Sequence, residues 1–250
     1  MDAEDVVWGF FAWVGHATIW LVALNVLYSQ PIHKKWLRTA RFLDAVLVFA
    51  FPVVLFLLWC WNGLNSWIVR AYLLVCWGVA LVAIPAATLL RLTRRTSKSQ
   101  IHRTSQVVNY TKELGYRPVG QWKNAFLARL PGNEVFEVEF VHIELAVEGL
   151  PPEWDGLTIL HLTDLHFCGT PEQVFFERVF DRCMGEGPPD LVVVTGDLVD
   201  TDEHHAWIVP LFRRLRWREA ALAVLGNHDY WQQRDAVRSC LEEAGLKVLG

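Results

Sequence analysis

Three short groups of residues have the types and spacing that metal chemistry needs. Asp164-Leu165-His166 sets a carboxylate and an imidazole two positions apart, so on an extended chain both project to one side. That pair makes a partial shell for a divalent transition metal. Gly196-Asp197 offers a second carboxylate behind a glycine that lets the backbone come close, and one carboxylate can bridge two ions. Gly226-Asn227-His228-Asp229 adds a neutral amide oxygen and an imidazole suited to proton transfer near neutral pH, with Asp229 placed to orient that ring. Singly, each group has an ordinary explanation as a surface pair or a turn. Together and in order they point to one site. Two ions about 3.5–4 Å apart can clamp a phosphoryl group for in-line displacement.

The elements that must position these residues are legible around them. Each group follows an apolar run: 157–162, 191–195 and 221–225. Successive motifs stand 33 and 30 positions apart (164 to 197, 197 to 227). Helical stretches are expected between and after them, over 171–184, 204–214 and 232–244. Pro171 suits a first turn, and Gly245 suits the end of the last helix. Strands alternating with helices predict an α/β layered fold with a largely parallel sheet. Such sheets bind ligands beyond the carboxyl ends of their strands, where Asp164, His166, Asp197, Asn227 and His228 all fall. Residues 134–147 read as a further strand at an edge, and His204 and His205 as the solvated start of a helix.

Before this part lies a different kind of sequence. Hydrophobic residues make up 53% of the 250 and mean hydropathy is +0.23, but the excess sits in the first ninety or so positions. Runs at 6–28, 42–64 and 67–90 each exceed the roughly 20 residues that cross a bilayer as a helix. The first begins with Asp2, Glu4 and Asp5, which excludes a signal peptide. Asn62-Gly63-Leu64-Asn65-Ser66 links the second and third as a hairpin. Lys34, Lys35, Arg38 and Arg41 follow the first run; Arg91, Arg94, Arg95, Lys98 and Arg103 follow the third. The positive-inside rule then puts the N-terminus outside and the remainder in the cytoplasm. His16, Asn25 and Asp44 read as structural polar residues, Asp44 near a helix end, and Pro52 and Pro85 as kinks. The expected organisation is a membrane region over 1–103, a juxtamembrane linker over 104–133 and the α/β domain over 134–250. Five scattered cysteines without CxxC spacing suit a reducing compartment and exclude a disulfide scaffold.

Asp164-Leu165-His166, Gly196-Asp197-Leu198-Val199-Asp200 and Gly226-Asn227-His228-Asp229 resemble the calcineurin-like metallophosphoesterases. With their flanks, Thr163 and Tyr230-Trp231, they are most similar to the bacterial membrane-associated branch, which includes UDP-diacylglucosamine pyrophosphohydrolases. The resemblance covers about 149–250. It implies a four-layer α/β/β/α fold, of which this chain holds the first half. It also implies two divalent ions: Asp164 and His166 on the first, Asp197 bridging, Asn227 on the second, and His228 as the catalytic acid. The family takes further ligands from later histidines, and no histidine follows Asp229. The second site is therefore expected to be incomplete and one face of the sheet uncovered. Either Gly250 is not the natural end, or the form is truncated and inactive.

The expectation is thus a multi-pass inner (plasma) membrane protein with a cytoplasmic metallophosphoesterase domain. It would hydrolyse a phosphate ester or pyrophosphate through a hydroxide held by two metals. Mixed oxygen and nitrogen ligands favour Mn, Fe or Zn. The partners expected are membrane lipids and a phosphorylated small-molecule or lipid-linked substrate, with no nucleic acid. The alternative is a truncated or degenerate non-catalytic membrane protein with a partial metal site.

Overall fold

The structure, a computed structural model, describes residues 3–30, 32–61, 63–94 and 97–250. Asp2, Asn62 and Arg95, which the sequence reading used, lie outside the described residues. The chain divides into two units, Met1–Thr96 and Ser97–Gly250.

The first unit is three long apolar helices. They run over Ala3–Tyr28 (α1), Lys34–Cys60 (α2), and a third span made of Trp67–Gly78 (α3), a π-helical turn at Val79–Ala83 and Ile84–Leu92 (α4). All three spans are long and apolar enough to cross a membrane. Large apolar side chains point outward, among them Phe42, Phe49 and Leu90, an arrangement suited to lipid. The second helix begins eight residues earlier than hydropathy alone indicates (34 against 42), because His33 accepts from the Lys35 N–H and starts the helix within the basic segment. Asp44 therefore lies well inside α2, not near its end, and is buried. Pro52 lies within α2. Pro85 opens α4 directly after the π turn, which accommodates the missing N–H and the bulk of the ring. Inside the unit, Ala12, Phe51, Leu73 and Cys76 form the core. Gly15 lies so close to the Cys76 carbonyl that a Cβ there would collide.

The second unit is built on a four-stranded, all-parallel sheet in the order Ile159–Leu162 (β3), Leu191–Val194 (β4), Ala220–Ala223 (β5) and Lys247–Val248 (β6). Register pairs Leu162 with Val194 and Val194 with Ala223, so one alternate set of side chains faces a single core. Onto it pack Gln173–Cys183 (α6) through Phe175, Phe176 and Phe180. His205–Phe212 (α7) contributes Ile208, Leu211 and Phe212, and Arg234–Glu243 (α9) contributes Val237 and Leu241. Gly245, at φ 95°, ends the last helix as expected. The opposite set is open to different degrees: Ile159, Val224 and Leu249 are exposed. Pro171 precedes α6 by two positions instead of sitting in its first turn.

Residues 104–133 do more than connect. Gln100–Asn109 forms a strand (β1) that pairs antiparallel with Glu137–Leu145 (β2) from Asn109↔Glu137 to Gln100↔Leu145, so the strand starts within the basic tail. The segment then forms a short helix, Tyr110–Leu114 (α5). Tyr110, Ala128 and Phe136 are buried in the same core as the sheet. Desolvation pushes the Tyr110 phenol up to about 12. Further on, the Thr170 hydroxyl donates to the Gly120 carbonyl, and Glu172 N–H to the Pro118 carbonyl.

Phe180 and Phe212 are fully buried with their rings edge-on at 5.2 Å. Phe212→Ala should cost about 3–5 kcal/mol of stability, read from urea unfolding followed by near-UV circular dichroism in mild detergent.

Candidate metal centre

The three motif groups leave the carboxyl ends of adjacent strands and meet. Beyond β3 and β4 the chain stays paired: Asp164 N–H donates to Gly196 O (3.1 Å), His166 N–H to Asp197 O (3.0 Å) and Phe167 N–H to Leu198 O (2.7 Å). Within this pairing Asp164, His166 and Asp197 all adopt left-handed backbone, at φ 53°, 45° and 56°. A non-glycine residue held there costs on the order of 1–3 kcal/mol. The loop-to-loop hydrogen bonds hold this conformation, and the result turns three side chains toward one point.

Ligand atoms of Asp164, His166 and Asp197 lie within 4.8 Å of one another, and His166 Nε2 is 3.7 Å from Asp164 Oδ1. Asp197 Oδ1 accepts the His228 backbone N–H at 2.9 Å. Gly226 packs against the same carboxylate, leaving no room for a Cβ. Asn227 opens the short helix Asn227–Trp231 (α8) between these two residues. Two carboxylates and an imidazole form a mixed O/N donor set that fits a divalent ion.

Asp229 does not orient His228. It is completely buried, and both its oxygens are taken by backbone donors. Oδ2 accepts from Gly226 N–H (2.9 Å) and Asp197 N–H (2.9 Å), and Oδ1 from Leu198 N–H (2.8 Å) and Val199 N–H (3.3 Å). Burial pushes its carboxyl up, and the four N–H groups act against that shift.

The ring of His228 belongs instead to Asp200, whose importance the sequence reading missed. Asp200 Oδ1 lies 2.5 Å from His228 Nδ1 and 3.0 Å from His166 Nδ1. The available signal was the second carboxylate in Gly196-Asp197-Leu198-Val199-Asp200. Burial alone would raise the Asp200 carboxyl; its hydrogen bonds with the two imidazoles outweigh it and hold the group well below the usual carboxylate range. The bond to Asp200 raises the His166 pKa, against partial burial. Asp200, His166 and His228 also come close enough to suggest a second cation cluster. The 2.5 Å contact argues otherwise: two ligands of one tetrahedral zinc stand roughly 3.3 Å apart, whereas 2.5 Å is a short hydrogen bond. One carboxylate thus fixes Nδ1 of both rings and leaves both Nε2 atoms for other partners.

His204 is not on a solvated helix start. It is buried, with Nδ1 2.5 Å from the Thr201 hydroxyl and its ring edge-on to Trp207. His205 Nε2 is 3.8 Å from Asp202. Neither joins the ligand groups found among the described residues.

Residues 157–245 match the family described as calcineurin-like phosphoesterase. This segment is a calcineurin-like metallophosphoesterase domain. An uncharacterized metallophosphoesterase, YkuE, of Bacillus subtilis (strain 168) is 34% identical over 101 residues, 38% of this chain and 34% of that protein. A protein of Bos taurus named transmembrane protein with metallophosphoesterase domain is 33% identical over 91 residues, 36% of this chain and 20% of that protein. An uncharacterized metallophosphoesterase of Helicobacter pylori is 28% identical over 96 residues, 38% and 25% of the two chains. The matched part of this chain spans about a third or less of the length of these relatives. No solved structure matches it. Metallophosphoesterases of this family are hydrolases that use divalent metals, in keeping with the donor set at Asp164, His166 and Asp197.

In this metallophosphoesterase domain Asp229→Asn should destabilise the fold by on the order of 3 kcal/mol, because an amide N–H₂ would face backbone donors that now share a buried carboxylate. Chemical denaturation of the two proteins side by side checks this.

Proposed function

We propose that the chain is a membrane-anchored, metal-dependent phosphoesterase acting on a phosphate ester or pyrophosphate. The observation that carries this reading is the convergence of Asp164, His166 and Asp197 within 4.8 Å, with His228 joined to the same centre through the Asp197 carboxylate. Asp164 and His166 hold a first divalent ion, Asp197 is shared between two, and Asn227 serves the second. Mn, Fe and Zn suit these donors best. When bound, the ions supply Lewis acidity toward a phosphoryl group. His228, oriented by Asp200, delivers a proton from Nε2 to the leaving oxygen. The membrane spans and the basic residues Arg91, Arg94, Lys98 and Arg103 support contact with anionic lipid head groups and a lipid-linked substrate. The distribution of Lys and Arg supports an orientation in the inner (plasma) membrane with the N-terminus outside and the metallophosphoesterase domain in the cytoplasm.

The test is hydrolysis of bis(p-nitrophenyl) phosphate by the full chain in detergent with Mn²⁺. Asp197→Asn should lower turnover at least ~100-fold, as should excess chelator. A chain inactive with Mn²⁺, or indifferent to Asp197→Asn, would sink the reading in favour of a non-catalytic protein with a partial metal site. In mixed micelles a nucleotide-lipid diphosphate should turn over faster than its soluble counterpart; equal rates would remove the lipid-linked substrate.

The orientation has its own check. A C-terminal fusion to green fluorescent protein should fluoresce, and the matching fusion to alkaline phosphatase should be inactive.

A further inference from the structure

We propose that Gln232 is a positioning residue for the metal centre, acting through the Asp200 main chain. The proposal rests on the metallophosphoesterase reading above. Gln232 is 8% exposed, and its side-chain Nε2 donates to the Asp200 carbonyl at 2.7 Å. On the other side of Asp200, its own N–H donates to the Phe167 carbonyl at 3.1 Å. These two bonds fix the Asp200 backbone from both ends. The fixed residue is the one whose single Oδ1 must reach His166 and His228, rings that arrive on two different loops. A carboxylate oxygen that accepts from two imidazole N–H groups at once tolerates little rotation of its side chain.

Gln232 also directly follows α8, the element that presents His228, and lies about one helical turn beyond that residue (228 to 232). Its own backbone N–H donates to the Asp229 carbonyl at 3.2 Å. One short segment therefore grips Asp200 twice, at the side chain through His228 and at the main chain through Gln232. Its neighbour Gln233 is held in left-handed backbone, φ 55°, with its amide donating to Asp202 Oδ2 at 2.9 Å. Strain of this kind persists only where surrounding bonds over-determine it; here the two side-chain amides tie 232–233 to 200–202, and the Gln233 carbonyl accepts from the Ala236 and Val237 N–H groups.

The residue type fits the task. The bond requires an N–H donor at the main chain of Asp200, whose carboxylate serves both imidazoles. Lysine or arginine would bring a cation that competes with the metal, and an ionised glutamate has no proton to give. A neutral amide is the donor that leaves the charge of the site unchanged.

The experiment is a double-mutant cycle on Mn²⁺ affinity, by titration calorimetry of the full chain in detergent, with Gln232→Met, Asp200→Ala and the combination. Gln232→Met keeps the volume and removes the donor. It should weaken Mn²⁺ binding about tenfold, the lower end of the effect of losing an outer partner of a ligand. In the Asp200→Ala background it should then have no further effect. An unchanged affinity would overturn the assignment, as would a full tenfold loss that persists without the Asp200 carboxylate, since that marks a general structural role. If Gln232→Met does not fold, Gln232→Asn withdraws the amide by one methylene and should give the same pattern. Failure of the parent reading looks different: the unsubstituted chain binds no Mn²⁺, or Asp197→Asn binds it as well as the unsubstituted chain does, and the assignment then falls with it.

Discussion

Four backbone N–H groups converge on the buried carboxylate of Asp229, and the arrangement of the centre depends on that convergence. Three of the donors belong to the loop after β4 and one to the loop after β5. Parallel strands fix only where loops begin. Their backbone polar groups, once out of the ladder and out of water, need other acceptors. Asp229 supplies them at one point, and so sets Asp197 and the start of α8 at a fixed separation. The carboxylate of Asp197 can then accept the His228 N–H, which places the candidate bridging ligand and the candidate acid in one hydrogen-bonded unit.

The same constraint explains the glycines beside the chemistry. Gly226 lies against the Asp197 carboxylate, where any Cβ would collide. Gly196 is in left-handed backbone at φ 88° and is packed against Gly226. The two glycines let the loops touch, and the touching loops force Asp164, His166 and Asp197 into backbone that other residues avoid. Glycine flexibility and ligand strain are two sides of one close approach.

What could be read in the sequence divides along that line. The strands before each motif, the helices between them and the three apolar spans follow from local periodicity and length, so they were legible. The convergence of Asp164, His166 and Asp197 followed from the topology of a parallel sheet. β1 was not legible: Gln100, His102, Arg103, Thr104 and Gln106 are polar on both faces of a two-stranded ribbon, so no alternation marks it, and its basic residues read as a topology signal. The burial of His204 was hidden because Thr201 and Trp207, which satisfy and cover its ring, carry no pattern that marks them as its partners. Asp229 and Asp200 were visible as carboxylates, but the role of orienting His228 was read onto Asp229 and none onto Asp200. The choice between them depends on which one faces backbone and which faces imidazole, and spacing does not encode that.

Three of the residues whose roles escaped the sequence reading, Asp229, Asp200 and Gln232, share a physical property: each is defined by a partner far along the chain. Asp229 finds the Asp197 N–H 32 positions away, Asp200 finds His228 at 28, and Gln232 finds the Asp200 carbonyl at 32. The membrane unit obeys the same rule over longer distances. Trp13 Nε1 donates to the Val48 carbonyl 35 positions on, and His16 Nδ1 meets the Tyr72 hydroxyl at 2.7 Å, 56 positions on, beneath the stacked ring of Phe51. Helix propensity and hydropathy say that these spans form and where they can reside. They do not say that a histidine in the middle of one will be answered by a tyrosine of another. In both units burial makes an unanswered polar group costly. The fold is therefore selected by long-range pairings, although the elements that bring the partners together are chosen locally.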